Sequence, residues 1–270
     1  MQILLIGDFH GKLPKKLLQH AKKADIVLTT GDFAYSKKLK ALYKKHGSNW
    51  KKQIEKNSEI IDEDYQAGKK IIEQLSKTGT PTYTVMGNWD YYEGNTKYFG
   101  KIKQKYKSYP KLIKKLPNIH DVERKTITIN NNKITGFGGF IVSTLYTKNY
   151  FNKEKTKYYQ QELKKYEEEL KKIQQKTDIL LSHYPPLHFF DQVKTNNPKN
   201  KIHNKHIGWK AYNNYIQKNQ PTLFICGHMH DEQGTAKIGK TTIISTGPAY
   251  QEKGYLITYK NKEITKLKKI

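Results

Sequence analysis

Cysteine and long apolar runs are almost missing from the sequence, and each scarcity excludes a class of protein. One of the 270 residues is a cysteine, Cys226, which excludes a disulfide framework and a cluster of thiolate metal ligands. No apolar run reaches the roughly 18 residues that a membrane span needs. The apolar run at residues 3–6 ends at Gly7 and Asp8, so it is too short for a signal peptide. We expect a cytoplasmic protein without a membrane partner.

Arginine is equally scarce, although the chain is strongly basic. The formal net charge is +26, which is typical of proteins that bind nucleic acid or an anionic surface. Arg124 is the only arginine, however, and lysine is spread through every segment. Recognition of phosphates and bases often uses the planar, bidentate guanidinium of arginine. We therefore interpret the charge as a bias of the whole composition, and a nucleic-acid partner is an alternative that is not favoured.

The length and the apolar pattern favour one α/β domain over residues 1–270. The first 32 residues predict a strand, a helix and a second strand, and both strands have the continuous apolar character of buried parallel strands. Helical insertions are predicted near 36–77 and 91–115, the second of them peripheral. A hairpin is predicted around residues 130–132 and a long helix over 153–176. The pattern makes no prediction of the oligomeric state.

Each of five predicted core strands is followed at once by a carboxylate, amide or imidazole side chain. In chain order these are Asp8 with His10, Asp32, Asn88, His183, and His228 with His230. Open α/β sheets bind their ligands at the carboxyl ends of the strands. Folding alone does not require a polar ligand after every core strand, so we predict that these side chains meet at one site.

The types and spacing of these side chains indicate a metal site. Asp8 and His10 lie two residues apart, as do His228 and His230, so in extended chain each pair would point to one side and hold one cation. Oxygen and imidazole ligands without sulfur suit Mn, Fe, Zn, Co or Ni and disfavour a structural zinc site. We expect two divalent ions, Mn being the first candidate, with Asp32 as the anionic bridge between them.

The order of these motifs resembles that of the calcineurin-like metallophosphoesterase superfamily. The motifs are Gly7-Asp8-Phe9-His10-Gly11, Gly31-Asp32, Gly87-Asn88-Trp89-Asp90, Ser182-His183-Tyr184-Pro185-Pro186 and Gly227-His228-Met229-His230. Within the superfamily, segments 206–211 and 245–249 resemble the branch of predicted phosphoesterases related to the cyclic-nucleotide phosphodiesterase Icc. The resemblance implies a four-layer sandwich of two mixed β-sheets flanked by helices, with a dinuclear metal site at the C-terminal ends of the strands.

The resemblance also implies a role for each motif residue. One metal would be bound by Asp8, His10 and His230, and the second by Asn88, His183 and His228. Asp32 would bridge the two metals, and Asn88 would in addition contact the phosphate of the substrate.

One position departs from the family pattern and bears on the mechanism. Many members carry a histidine that protonates the leaving oxygen where this chain has Trp89, and an indole cannot donate an acidic proton. His206, in a polar loop before the last motif, is the candidate donor, and the alternative is a plain loop histidine. We expect Asp90 to orient the Asn88 loop rather than to react.

The predicted function is metal-dependent hydrolysis of phosphate esters, in which a metal-bridging hydroxide attacks phosphorus. A small phosphodiester is favoured as substrate, because a phosphomonoesterase would gain more from the general acid that Trp89 cannot be. Two alternatives stay open. One is a nuclease acting on DNA or RNA, with the lysines lining a groove for the backbone, and the other is a non-catalytic metal-binding module.

Overall fold

A computed structural model of the chain contains two stacked β-sheets with helices on both outer faces. The structure describes residues 1–46, 58–92, 108–139, 141, 143–150, 152–173, 177–195, 197 and 199–270. Within these ranges no helix has the length and apolar character that a bilayer span requires.

The described elements alternate between strands and helices along most of the chain. The strands are β1 (Gln2–Ile6), β2 (Ile26–Thr29), β3 (Thr82–Thr84), β4 (Ile119–Asp121), β5 (Thr126–Ile129), β6 (Asn132–Gly136), β7 (Ile179–Leu181), β8 (Leu223–Cys226), β9 (Gly234–Ile238), β10 (Thr241–Ser245), β11 (Tyr255–Lys260) and β12 (Glu263–Lys269). The α-helices are α1 (Lys15–Ala21), α2 (Lys37–His46), α3 (Ser58–Ser76), α4 (Tyr109–Ile113), α5 (Thr144–Tyr150), α6 (Lys153–Lys171) and α7 (Lys210–Asn219), and a 3-10 helix covers Ala249–Gln251.

Both sheets have six strands and mixed directions. The first sheet has the order β12-β11-β1-β2-β3-β4 and the second the order β5-β6-β7-β8-β10-β9. In the first sheet β1 to β4 run parallel, whereas β11 and β12 are antiparallel to their neighbours. In the second sheet the central strands β6, β7, β8 and β10 are parallel and the outer strands β5 and β9 are antiparallel.

Three apolar clusters hold four layers together. Alternate residues of a strand point to opposite faces of its sheet, so Ile3 and Leu5 of β1 enter the cluster between the sheets while Leu4 enters the cluster under α1 and α3. The second sheet divides in the same way. Leu181 packs between the sheets, and Leu180 packs against α6 and α7. The structure thus confirms the predicted sandwich of two mixed sheets flanked by helices.

The structure also corrects several predicted elements. The hairpin of β5 and β6 is present, but the helix predicted over 153–176 ends at Lys171, and residues 174–176 lie outside the described ranges. Strands β4, β9 and β12 and helix α5 were not predicted. The lysine-rich end of the chain forms β12, whose side chains are mostly exposed. Lysine suits an edge strand because its charge opposes pairing with another chain.

The two predicted helical insertions lie partly outside the described residues, because 47–57 and 93–107 are not described. Helices α2 and α3 fall in the first insertion, and α4 falls in the second. Tyr91 and Tyr109 are both almost fully buried and join the core cluster that includes Ile72 of α3. The prediction of a peripheral segment is therefore wrong for the two ends of the second insertion.

Candidate metal centre

The carboxyl ends of β1, β2 and β3 in the first sheet and of β7 and β8 in the second lead into one cluster of side chains. The seven predicted side chains come together there through a continuous set of contacts. They are Asp8, His10, Asp32, Asn88, His183, His228 and His230. Two groups of three within this cluster have ligand atoms close enough to hold a cation, Asp8 with His10 and His230, and Asp8 with Asp32 and His183.

The first half of the cluster consists of Asp8, His10 and His230. The two Nε2 atoms of His10 and His230 lie 2.8 Å apart. Asp8 Oδ1 is 3.5 Å from His230 Nε2 and 3.9 Å from His10 Nε2. One carboxylate oxygen and two imidazole nitrogens thus point at the same small volume.

The second half consists of Asn88, His183 and His228. Asn88 Oδ1 lies 2.9 Å from both His183 Nε2 and His228 Nδ1, and these two nitrogens are 3.2 Å apart. His183 Nδ1 lies 2.8 Å from the carbonyl oxygen of Thr30. A carbonyl oxygen only accepts, so Nδ1 carries the proton and Nε2 presents its lone pair to the cluster.

Asp32 lies between the two halves. Its Oδ1 accepts a hydrogen bond of 2.8 Å from the backbone N–H of Trp89. Its Oδ2 is 3.9 Å from His10 Nε2 and 3.5 Å from His183 Nε2. The oxygen that is not held by the backbone therefore faces one histidine of each half.

The backbone at these positions turns instead of continuing the strands. Asp8, His10, Asp32 and His228 have φ values of 54°, 46°, 57° and 70°, in the left-handed region that residues other than glycine rarely adopt. The expectation that each ligand pair lies in extended chain is therefore wrong. As a consequence, His228 and His230 belong to opposite halves of the cluster.

Two glycines of the motifs allow the close approach of the loops. A Cβ atom at Gly87 would collide with Asp32 Oδ1, and one at Gly227 would collide with Asp8 Oδ2. Absence of a side chain at these positions lets the β3 and β8 loops lie against the two carboxylates. The glycine before Asn88 and the glycine before His228 are thus required by packing.

Burial and mutual charge set the ionisation of the cluster. Burial is the main cause that lowers the pKa of His10, His183 and His228, so their imidazoles are neutral. Burial opposes the ionisation of Asp8, but the hydrogen bond with His230 and the charge of that histidine lower the pKa of Asp8. Burial, followed by the charges of Asp90 and Asp8, raises the pKa of Asp32. Neutral imidazoles beside crowded carboxylates are the state in which a site accepts cations.

Asp90 acts on the backbone of the cluster. Its carboxylate accepts hydrogen bonds from the backbone N–H groups of Asp32, Phe33, Ala34 and Gly87, at 2.7 to 3.3 Å. These bonds join the loop after β2 to the loop after β3. The expectation that Asp90 orients the Asn88 loop agrees with these contacts, and the role itself stays a prediction.

The rings of Trp89, Tyr35 and Tyr250 form an aromatic wall beside the cluster. The indole of Trp89 stacks on Tyr35 with 3.7 Å between ring centroids and an angle of 10° between the planes. Tyr35 and Tyr250 in turn contact the ring of His10 edge-on, at 5.4 Å and 5.5 Å between centroids. Neither tyrosine is predicted from the sequence, because tyrosine is abundant in this chain and neither of them belongs to a motif.

His206 contacts a buried carboxylate that the sequence analysis also missed. His206 Nδ1 lies 2.5 Å from Oδ1 of Asp191, which is 1 % exposed. The other oxygen of Asp191 accepts hydrogen bonds from the backbone N–H groups of His188 and Gly208. The His206 side chain is 37 % exposed and lines a cavity of about 610 Å³ together with Trp209 and Leu187. Asp191 thus orients the imidazole of His206. The lining of this cavity includes none of the seven side chains of the cluster, so the role of His206 as proton donor stays a prediction.

Comparison with known proteins gives a family and a fold. The family model for calcineurin-like phosphoesterases matches residues 1–232. The solved structure of a phosphopantetheinyl hydrolase from Mycobacterium tuberculosis is similar with a TM-score of 0.51 and 11% identity, covering 100% of this chain and 95% of that chain. A dimetal phosphatase from Danio rerio has a TM-score of 0.51 and 12% identity, covering 95% of this chain and 92% of that chain. No curated protein matches the sequence.

Proposed function

The chain belongs to the calcineurin-like phosphoesterase family, whose members are dinuclear, metal-dependent hydrolases of phosphate esters, and on that premise we propose that it hydrolyses phosphodiesters at the cluster of seven side chains. The observation that carries this proposal is the convergence of two triplets of ligand atoms on either side of Asp32. The proposed reaction gives an alcohol and a phosphate monoester.

The donor set fits two divalent cations. Asp8, His10 and His230 would hold one ion, and Asn88, His183 and His228 the other. Asp32 Oδ2, which faces His10 and His183, would bridge them. Buried carboxylates with neutral imidazoles and an amide oxygen, without sulfur, suit Mn, Fe, Zn, Co or Ni, and we propose Mn as the native metal.

The residues of the chain have separate tasks in this proposal. Two bound ions would supply Lewis-acid activation of water and neutralisation of charge on the phosphoryl oxygens. Asn88 presents its amide to the phosphate as well as to the cluster. Asp90 keeps the loops after β2 and β3 in register through its four backbone hydrogen bonds, so that Asp32 and Asn88 stay aligned.

The aromatic wall supports a preference for diesters over monoesters. Trp89 stands where many relatives have a proton-donating histidine, and its ring is stacked on Tyr35. An indole N–H is not acidic enough to protonate a leaving alkoxide. His206 is the proposed proton donor, since Asp191 fixes its Nδ1 and leaves Nε2 for the leaving oxygen.

Metal analysis combined with a hydrolysis panel tests the proposed reaction. We expect about two ions per chain after loading with Mn and faster hydrolysis of bis(4-nitrophenyl) phosphate than of 4-nitrophenyl phosphate. Asp32→Ala should lower kcat/KM by about a thousandfold or more, because loss of a supporting residue around a metal already costs 10- to 100-fold. Asp62→Ala, which removes an exposed carboxylate from α3, is the matched control and should leave both the metal content and the rate unchanged. Normal hydrolysis by Asp32→Ala would show that the bridging assignment is wrong.

A leaving-group series tests the role of His206. With thymidine 5′-aryl phosphates, His206→Gln should reduce the rate by about 100-fold or more for phenols of high pKa and little for 4-nitrophenol, which leaves without a proton. Asp191→Asn should change the rates in the same direction, because it removes the charge that orients the imidazole. His203→Gln, in the same loop, is the control. An equal loss for every leaving group would assign His206 to binding and not to proton transfer.

A further inference from the structure

Lys40 lies against the aromatic wall beside the cluster. It lies on α2, which begins five residues after Asp32. Its Nζ is 5.3 Å from the ring centroid of Tyr250 and 6.0 Å from that of Tyr35. Tyr250 also contacts both histidines of the first half, with centroids 5.5 Å from His10 and 5.6 Å from His230. The two tyrosines therefore connect Lys40 to the cluster.

The charge of Lys40 has no carboxylate partner in the part of the chain that the structure describes. Among the described residues no carboxylate oxygen lies within 4.0 Å of Lys40 Nζ, whereas Lys38, two residues earlier, pairs with Glu63 at 2.6 Å. Lys40 therefore brings its charge to the two tyrosines whose rings contact His10.

A cation at this position is unfavourable in the loaded site unless an anion accompanies it. Two divalent ions beside Lys40 would repel the ammonium group, because like charges in a partly buried site are poorly screened. A phosphodiester brings one negative charge, and that charge lies on the phosphoryl group that the cluster itself would hold. A further anionic group on the same substrate would compensate Lys40 and would be bound by a charge-assisted hydrogen bond.

We propose that Lys40, framed by Tyr35 and Tyr250, binds a second phosphate of the substrate, so that the preferred substrates are phosphodiesters that carry a further phosphate group. Lys40 is then a residue that determines specificity and takes no part in bond cleavage. The inference rests on the proposed phosphodiesterase function and narrows the class of its substrates.

A pair of substrates that differ only in the second phosphate tests the subsite. Thymidine 5′-(4-nitrophenyl phosphate) and its 3′-phosphorylated form have the same scissile bond and leaving group. In the Mn-loaded enzyme, Lys40→Met should raise KM for the 3′-phosphorylated substrate by about tenfold, the strength of one charge-assisted hydrogen bond, and change KM for the other by less than about twofold. Methionine keeps an unbranched side chain similar to the aliphatic part of lysine and removes the ammonium group, and kcat should be unchanged for both substrates.

Two further variants separate the subsite from the general basic charge. Lys40→Arg should restore the low KM, because it keeps the cation. Lys44→Met removes an exposed lysine one turn later on α2 and should behave like the unmodified protein. Equal effects of Lys40→Met and Lys44→Met, or an equal change for the two substrates, would overturn the proposal.

Equilibrium binding distinguishes failure of the inference from failure of the proposed function. Calorimetric titration of the Mn-loaded protein with thymidine 3′,5′-bisphosphate and with thymidine 5′-phosphate needs no turnover. Lys40→Met should weaken the binding of the bisphosphate by about tenfold and leave the binding of the monophosphate unchanged. If the protein hydrolyses diesters but Lys40→Met affects both ligands equally, the proposed phosphodiesterase function stands and the phosphate subsite is wrong. If Lys40→Met weakens binding of the bisphosphate alone but the protein hydrolyses no diester, the subsite is supported and the proposed reaction is overturned.

Discussion

At the scale of residues, buried carboxylates of the same type have different partners and therefore different tasks. Asp8 accepts the backbone N–H of His228 on both oxygens, at 3.0 and 3.1 Å, which joins the two sheets at the cluster. Asp32 has one oxygen bound to the backbone and one that faces histidines of both halves. Asp90 accepts hydrogen bonds from four backbone N–H groups. Asp8 and Asp32 belong to groups of side chains whose ligand atoms are close enough to hold a cation.

Glu123 provides a prediction of pH dependence outside the cluster. Its two oxygens accept the backbone N–H of Gly138 at 3.0 and 3.1 Å, and its side chain is 15 % exposed. Burial raises the pKa of Glu123 to about 7, although the charge of Arg124 opposes this shift. Between the unfolded and the folded pKa the folded protein binds more protons, so the contribution of Glu123 to stability is present at low pH and is lost as the pH rises toward about 7.

Urea unfolding at several pH values measures this contribution. Glu123→Gln cannot ionise, so the fall in the free energy of unfolding from about pH 5 to pH 8 should be smaller in the variant than in the unmodified protein. Glu168→Gln, which changes an exposed carboxylate of α6, should leave the pH profile as it is. Parallel profiles for Glu123→Gln and the unmodified protein would contradict the raised pKa.

At the scale of elements, Arg124, the only arginine of the sequence, connects α6 to the second sheet. The guanidinium of Arg124 lies 5.1 Å from the ring of Phe137 and 4.7 Å from the ring of Tyr166 on α6. It also pairs with Glu123 at 3.0 Å and with Glu169 of α6 at 2.5 Å. A planar cation that stacks and forms ion pairs at the same time cannot be replaced by lysine without loss.

Arg124→Lys should therefore destabilise the protein by about 1–2 kcal/mol, the sum expected for a lost cation–π contact and a weakened ion pair. Urea unfolding measures the change. The comparison is Lys165→Met, which breaks the exposed pair with Glu162 on the same helix and should have a clearly smaller effect, because exposed ion pairs contribute little stability. Equal effects of the two substitutions would mean that the stacking of Arg124 contributes no stability.

At the scale of the whole molecule, the net charge of +26 makes the salt dependence of the activity a test between a phosphodiesterase and a nuclease. A protein that neutralises 6–10 phosphates of DNA loses about 10³ to 10⁵ in affinity between 50 and 200 mM salt. A small diester contacts few lysines, so its kcat/KM should change by less than about threefold over the same range. Competition between an oligonucleotide and the chromogenic diester at both salt concentrations measures the difference. A preference for the oligonucleotide that disappears at high salt would favour the nuclease.

Much of the fold and of the candidate site was predictable because its signals are local. Short predicted strands followed by glycine or serine and then a carboxylate, amide or imidazole marked the ends of β1, β2, β3, β7 and β8, where all seven side chains of the cluster lie. Short strands such as β4 and β9 were not predicted, because three to five residues carry little periodicity. The lysine-rich β12 was not predicted, because its composition does not favour a strand. It is a strand because it pairs with β11.

The sequence by itself determined which ligand types follow the strands, their order and the absence of sulfur among them. Only the tertiary structure decided how they are grouped. The left-handed turn at His228 lets His228 and His230 enter opposite halves of the cluster. Two sheets must meet before Asn88 can contact His183 and His228. The placement of Tyr35 and Tyr250 beside His10, and of Lys40 against these two rings, likewise depends on packing, because contacts between distant segments leave no spacing rule in the chain.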